Sequence, residues 1–423
     1  MKYRHRVLVF LCSLGAITYL DRIAISVAGP RIQEDLGLSP EMWGWVVGIF
    51  TLSYALFEIP TGRMGDRTGP RRVLTRVVLW WSAFTALTGA VSSYAVLLAT
   101  RFMFGIGEAG AFPNTGICVS RWFPAVERAR AYGFFLMSTQ LGGALSPLLI
   151  VPLQIWLGWR ATFYFLGVIG VLWAVAWYRW YRDSPQEKSE VTAEEREEIG
   201  VHASADNHRL PWGAALRSTN LWAMFLLAFC YVYAFYFFIS WLHTYMVKGR
   251  GFTEGALLLS AAPPVLGALG NVAGGIVCDR LSKRFGLKWG RRSVGLAGMS
   301  CAAVFMGATV LTPDKYLALL FLGLVYAGIT TQQSAFAAVL LDIGRQYVGG
   351  IAGAANMFAN IGGFAFSVSF GYFVAWFGGY DLALIPVVVL LVVGTLAWLR
   401  IDAAEELIPD IVAEMPIPAA APA

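Results

Sequence analysis

Residues 7–27 read VLVFLCSLGAITYLDRIAISV, and residues 96–119 read VLLATRFMFGIGEAGAFPNTGICV. Each run is long enough to cross a roughly 30 Å hydrocarbon core as a helix. The first nevertheless holds Asp21 and Arg22, and the second holds Arg101 and Glu108. A charge in the middle of a bilayer is costly and is rarely found there without a task. These four positions are therefore the leading functional candidates.

The rest of the chain has the same oily character. Of its 423 residues, 57% are hydrophobic and 14% charged, where a soluble domain carries about 25% charged residues. Apolar runs near 7–28, 44–62, 73–92, 96–120, 131–153 and 161–181 are followed by runs near 220–247, 256–278, 293–312, 316–340, 349–377 and 380–400. About twelve membrane-spanning helices follow, an all-α membrane protein. The one long hydrophilic interval, 182–219, falls almost midway and divides a six-helix bundle at 1–181 from another at 220–401. Within it, Thr192-Ala-Glu-Glu195 fits a capping box and predicts a short surface helix from Ala193 to Val201. The acidic and Pro/Ala-rich tail, 402–423, is expected to be disordered.

Basic residues gather on one side of the spans. Lys2, Arg4 and Arg6 share that side with Arg67, Arg71, Arg72, Arg121, Arg128 and Arg130, and with Lys283, Arg284, Arg291 and Arg292. The positive-inside rule puts both termini and the central interval in the cytoplasm. This asymmetry accounts for the net charge of +6 without nucleic-acid binding. The apolar run after Lys2, Arg4 and Arg6 continues through Asp21 with no small-residue cleavage site, so it reads as a retained first helix. Cys12, Cys118, Cys230, Cys278 and Cys301 fall inside spans without metal-ligand spacing, and neither a metal, a cofactor nor a disulfide framework is expected.

Two loops repeat. Gly62-Arg-Met-Gly-Asp66-Arg67-Thr-Gly69-Pro-Arg71-Arg72 follows the second run, and Gly275-Ile-Val-Cys-Asp279-Arg280 follows the eighth, half the chain away. Internal duplication of this kind is common in secondary transporters, with the substrate site between the halves. We assign Asp66, Arg67, Arg71, Asp279 and Arg280 to gating or structural networks at helix ends, not to substrate.

The first of these loops resembles the signature loop of the major facilitator superfamily. The segment from Arg101 to Asn114, with Arg121-Trp122-Phe123-Pro124, Glu127-Arg128-Ala129-Arg130 and Tyr19-Leu20-Asp21-Arg22, resembles the anion:cation symporter family within it. That family includes bacterial galactonate and hexuronate transporters, sialin and the vesicular glutamate transporters. The resemblance covers nearly the whole chain. It implies the twelve-helix fold and alternating access, and it implies that Asp21 and Glu108 carry protons. Tyr54 and Gln140 match positions resembling the family's substrate pocket.

Arginine keeps its charge and offers a fork matched to a carboxylate, so Arg101 is the first choice to hold an anionic substrate and Arg22 the second. Asp21 and Arg22 are adjacent and must point in different directions. Asn356 and Asn360, one turn apart in the eleventh run, can face one groove and orient a hydroxylated substrate. Gln332 and Gln333 are weaker candidates of the same kind. Glu58 and Asp342 suit the helix-end networks. His243 stands where related chains often show a proline and is expected near the outer surface as a bystander. Gly105-Ile-Gly107-Glu-Ala-Gly110 fits a dinucleotide pattern but lies inside a span, where glycines serve helix contact. Pro113 is expected to bend that span. Two buried ion pairs with no further role are the plain alternative for the four charges.

The expectation is a monomeric, proton-coupled symporter in the bacterial inner membrane, importing an organic anion, with a sugar acid favoured over an aromatic or dicarboxylic acid. A proton-independent exchanger or facilitator and a non-transporting membrane sensor are the rivals. No pattern for catalysis is present, so an enzyme is not expected.

Overall fold

The computed structural model describes residues 2–199, 212–344 and 347–405, and every long element among them is a helix. The first span is Tyr3–Val27, followed by a short helix, Gly29–Asp35. The second is Pro40–Thr68 and the third Pro70–Ala90. The fourth is built from Tyr94–Glu108 and Ala111–Trp122. Ala125–Trp180 holds the fifth and sixth spans, which meet at Gly158 with φ of +80°. The seventh runs over Thr219–Gly249. Glu254–Ala261 leads into Ala262–Leu311, which holds the eighth and ninth and turns at Gly286 with φ of +81°. Lys315–Gly344, Val348–Phe377 and Ile385–Trp398 complete the twelve. The two tight turns use glycine because only glycine adopts that backbone without strain.

The helix starts are written locally. Ser39, Ser93 and Ser218 accept hydrogen bonds from the backbone N–H groups of Met42, Val96 and Leu221, satisfying donors that the first turn leaves free. The fourth span breaks at Ala109 and Gly110, just before Pro113. Proline cannot donate to the carbonyl four residues earlier and its ring crowds that group, so the expected bend appears one turn upstream. The seventh span contains two widened π-turns, Phe237–Trp241 and Tyr245–Gly249. Between them lies Leu242–Thr244.

Packing places the first span against the fifth-to-sixth segment, the second against the fourth, and the third against the sixth side of that segment. The halves meet where the second span lies along the eleventh. The glycines of the fourth span act as contact residues. A Cβ at Gly105 would come within 2.6 Å of the Phe50 carbonyl, so its absence lets the second and fourth spans press together.

Among the described residues, the side-chain bonds between the halves are unevenly placed. At the end opposite the termini, Arg31 pairs across the gap with Glu254 and, within its own half, donates to the Gln154 carbonyl. Gln33 donates to Thr244 at 3.0 Å and accepts from Lys248 at 3.2 Å. Trp45 donates to the Tyr372 hydroxyl at 3.1 Å. On the termini side the bond from Asn356 to Glu58, at 3.1 Å, stands alone.

The surface helix is Ala193–Ile199, and residues 200 and 201 of the expected helix lie outside the described residues. Thr192 Oγ accepts from the Glu195 N–H at 3.2 Å, half of the expected capping box. The Glu195 carboxylate does not return to Thr192. It accepts the backbone N–H groups of Tyr3 and Arg4 at 3.0 and 2.9 Å, and so caps the first span from the linker. Of the tail, Asp402 exchanges backbone bonds with the Asn220 amide, and 406–423 lie outside the described residues.

Candidate functional site

The first, second and fourth spans bring the four intramembrane charges together. Asp21, Arg22, Arg101 and Glu108 are all buried. Arg22 donates from Nε to Glu108 Oε1 at 2.9 Å and also from Nη2 to the same oxygen. Both bonds end on one oxygen, and Glu108 Oε2 has no hydrogen-bond partner. The Arg22 guanidinium lies over the rings of Tyr19, Phe50 and Tyr54, at 5.2, 5.1 and 4.9 Å. Such faces attract a desolvated cation.

Arg101 is held differently. Its guanidinium sits 5.0 Å from the Phe50 ring and 4.7 Å from Phe104, and its Nε has no partner. The two arginines therefore share the Phe50 ring. Neither oxygen of Asp21 has a partner, and the Trp81 Nε–H nearby is likewise unpartnered. Asp21 and Arg22 do diverge, as adjacency on a helix requires. Asp21 faces Trp81, Glu108 and Arg101 within the first six spans, while Arg22 reaches Glu108 and the aromatic group that includes Tyr236 from the seventh span.

Beside this group a cavity opens between the halves. Tyr19, Ile23 and Gln140 line one side, and Phe238, His243 and Tyr326 the other. Its free volume is about 20 Å³, about the room a single water needs. Gln140 thus faces the interface, while Tyr54 covers Arg22 from within the first six spans. A second cleft, about 200 Å³, lies toward the termini within the second six spans and is lined by Tyr231, Gln333, Phe336 and Asn356. Asn356 spends its amide on Glu58, and Asn360 is half-buried one turn further on. Gln332 is fully buried with both amide atoms unpartnered.

The helix-end networks also take shape. Arg71 donates to the Tyr178 carbonyl at 2.9 and 2.6 Å, and its backbone N–H meets Asp183 at 2.9 Å. In the second half Arg291 bridges Asp279 and Asp342, each at 3.1 Å. Arg67 and Arg280 are exposed, and the Asp66 side chain lies outside the described residues. Arg291, which ties the second network, was seen in the sequence only as a loop charge.

His243 is the residue that sequence reasoning missed. It lies beside Thr244 toward the end opposite the termini, and there it is buried between the halves, 2% exposed. Its Nδ1 is 3.0 Å from Ser26 Oγ on the first span, and its Nε2 is 2.9 Å from Ser260 Oγ ahead of the eighth. Because Ser260 Oγ donates to the Leu257 carbonyl, Nε2 carries the proton in the neutral ring and Nδ1 accepts from Ser26. One imidazole thus joins the two halves. The available signal was its position between the aromatics of the seventh span, but only the π-turns decide which way it points.

The family model for the Major Facilitator Superfamily matches residues 11–367. A probable sulfoacetate transporter of Cupriavidus necator is 34% identical over 408 residues, covering 95% of this chain and 94% of that protein. A hexuronate transporter of Bacillus subtilis is 30% identical, covering 93% of each. A probable galactarate/D-glucarate transporter of Escherichia coli is 29% identical, covering 94% of this chain and 92% of its own. A bacterial homologue of the human lysosomal transporter Spinster, solved inward-facing and occupied, superposes with a TM-score of 0.79 over 94% of this chain and 96% of its own. At 21% identity it shares the fold.

Proposed function

Since this chain belongs to the major facilitator superfamily, a family of membrane transporters and not of enzymes, we propose that it imports a small organic anion together with protons. The observation that carries this reading is the Arg22–Glu108 pair. Asp21, Arg22, Arg101 and Glu108 sum to no net charge when all are ionised. A monoanion added among them leaves one uncompensated negative charge in low dielectric, which is costly. One proton on Glu108 or Asp21 removes that cost. Protonating Glu108 also releases the Arg22 fork, which then takes the carboxylate or sulfonate of the cargo. Two protons per monoanion would carry net positive charge inward, and the membrane potential would then help to drive uptake.

Arg22 is the stronger anchor in this reading, because it reaches aromatic groups of both halves. Arg101 serves as the neighbouring fixed cation. Gln140 and the Tyr19 and Tyr326 hydroxyls orient the rest of the molecule. The asparagines that favoured a sugar acid lie toward the termini, with Asn356 bound to Glu58. A compact acid such as a short sulfonate or carboxylate, in keeping with the 34% identical relative, therefore stands beside a hexonate or hexuronate as cargo. The small cavity means that either cargo enters only when the halves part. Taking the termini side as cytoplasmic, the uneven bonds between the halves describe a carrier closed to the outside, in the inner membrane of a bacterium.

The test is uptake into proteoliposomes of sulfoacetate, glucarate and a hexuronate, with and without an imposed pH gradient. Accumulation of at least one that collapses without the gradient supports the reading. Gradient-indifferent flux would make the protein a facilitator or exchanger, and saturable binding without flux a sensor.

A further inference from the structure

The third span presents one continuous exposed stripe: Arg72, Arg76, Leu79, Trp80, Ala83 and Leu87. The spacing of three and four puts these residues on a single helix face. Its apolar part is only partly covered by protein, with Leu79 39%, Trp80 41% and Leu87 43% exposed. In a membrane protein such a face meets acyl chains. The sixth span continues the surface through Leu172 and Tyr178, 64% and 46% exposed. Where the two spans reach the termini end, a cleft of about 420 Å³ opens between them. Arg72, Thr75, Arg76, Leu79, Trp80 and Tyr178 line it.

The charges at its mouth are left over. Arg71 is already committed to the Tyr178 carbonyl and lies 4.4 Å from its ring, and the Trp80 Nε–H is committed to the Met103 carbonyl at 2.8 Å. Arg72 and Arg76 pair with no carboxylate among the described residues. The polar contact of Arg76 there is with the Met64 sulfur at 3.1 Å, a weak acceptor that neutralises nothing. Two guanidiniums one turn apart match a phosphate diester geometrically and electrostatically. They stand at the level where lipid headgroups lie, directly beneath an apolar groove.

We propose that this cleft is a binding site for an anionic phospholipid, with the headgroup phosphate between Arg72 and Arg76 and an acyl chain along Leu79, Trp80 and Leu87. Basic residues near a membrane surface each strengthen attraction to anionic lipid about fivefold. The site lies away from the central charges, so lipid there braces the third span against the sixth without touching the cargo. It does not depend on which cargo is carried.

The experiment is native mass spectrometry of the purified full chain, released from micelles containing phosphatidylglycerol and phosphatidylcholine in equal amounts. Wild-type protein is expected to retain phosphatidylglycerol preferentially, and R72Q/R76Q to lose that preference by about tenfold or more. Equal retention of both lipids by wild-type protein would overturn the proposal, as would an unchanged preference in the double variant. Inorganic phosphate or glycerol 3-phosphate at millimolar concentration should not displace the lipid. Displacement would make this a soluble-phosphate site and overturn it too. Should R72Q/R76Q fail to fold, photoactivatable phosphatidylglycerol on wild-type protein decides. Crosslinks must fall in 72–87 and around Tyr178, and crosslinks elsewhere refute the assignment.

Discussion

Glu108 and Arg22 form the pair on which coupling turns, and two substitutions separate their roles. Glu108→Gln keeps a hydrogen-bond acceptor for Arg22 while removing the titratable charge. Exchange of labelled cargo across the membrane should persist within a few-fold, whereas accumulation driven by a pH gradient should vanish, both read in proteoliposomes. Arg22→Gln removes two charge-assisted bonds, each contributing about 1.5–3 kcal/mol, and cargo affinity should fall by roughly a hundredfold or more in a thermal-shift titration. If Arg22→Gln binds as wild type, Arg101 is the anchor after all. That four charges sit inside membrane spans was legible in the sequence, because a charged residue in an oily run is conspicuous. Which arginine meets which acid was not. It depends on how the first and fourth spans are rotated about their axes, and that rotation is set by contacts such as Gly105 on Phe50. His243→Ala leaves the Ser26 hydroxyl facing the gap without its partner, at a cost of about 1–3 kcal/mol. A cysteine placed at Ser26 in that variant should react faster with an impermeant thiol reagent applied from the side opposite the termini.

The linker helix, seven residues long, has an outsized role because it supplies what the first span lacks. That span opens with Lys2 at its N-cap, which provides no side-chain acceptor, and Glu195 fills the vacancy from far along the chain. Lys2 and Arg4 then hold Glu198 at 2.5 and 2.7 Å. Tyr3 stacks between Trp122 and Trp180 at 5.5 and 5.0 Å. Glu195→Ala should lower stability by about 1–2 kcal/mol, the usual cost of a lost cap, measurable as a lower melting temperature in detergent. Hydrogen bonds from Lys2 and then Arg4 hold the Glu198 carboxyl below its ordinary range. A depressed acid stabilises the docked helix above its free pKa and stops doing so as pH falls through its docked value. The protection factors of the amides in 193–199, exchange rates taken relative to the free peptide at the same pH, should therefore be high at neutral pH and fall in acid below about pH 4. The sequence announced this helix through Thr192 and Glu195 but gave the wrong partner for Glu195. A capping box is a local pattern, and nothing local says that a helix end many residues away is short of an acceptor.

Across the whole molecule, the twelve spans were readable from hydrophobicity alone, since each must satisfy its own backbone in lipid. The turns at Gly158 and Gly286 were harder to place, because there the chain reverses with scarcely a loop. The distribution of contacts between the halves was not readable at all. Arg31→Gln removes the ion pair to Glu254 and the bond to the Gln154 carbonyl. A partly exposed pair of this kind contributes about 1 kcal/mol or less, so the populations of the two orientations should shift by up to about fivefold. Distances between spin labels on the short helix Gly29–Asp35 and on the loop before the eighth span would report it. Such lopsided fastening makes the transporter a latch with a resting position. One half of each turnover has several clasps to undo and the other, among the described residues, has the bond from Asn356 to Glu58. Import and export through the same protein should then saturate at different cargo concentrations, and the slower stroke should be the one that unclasps the end remote from the termini.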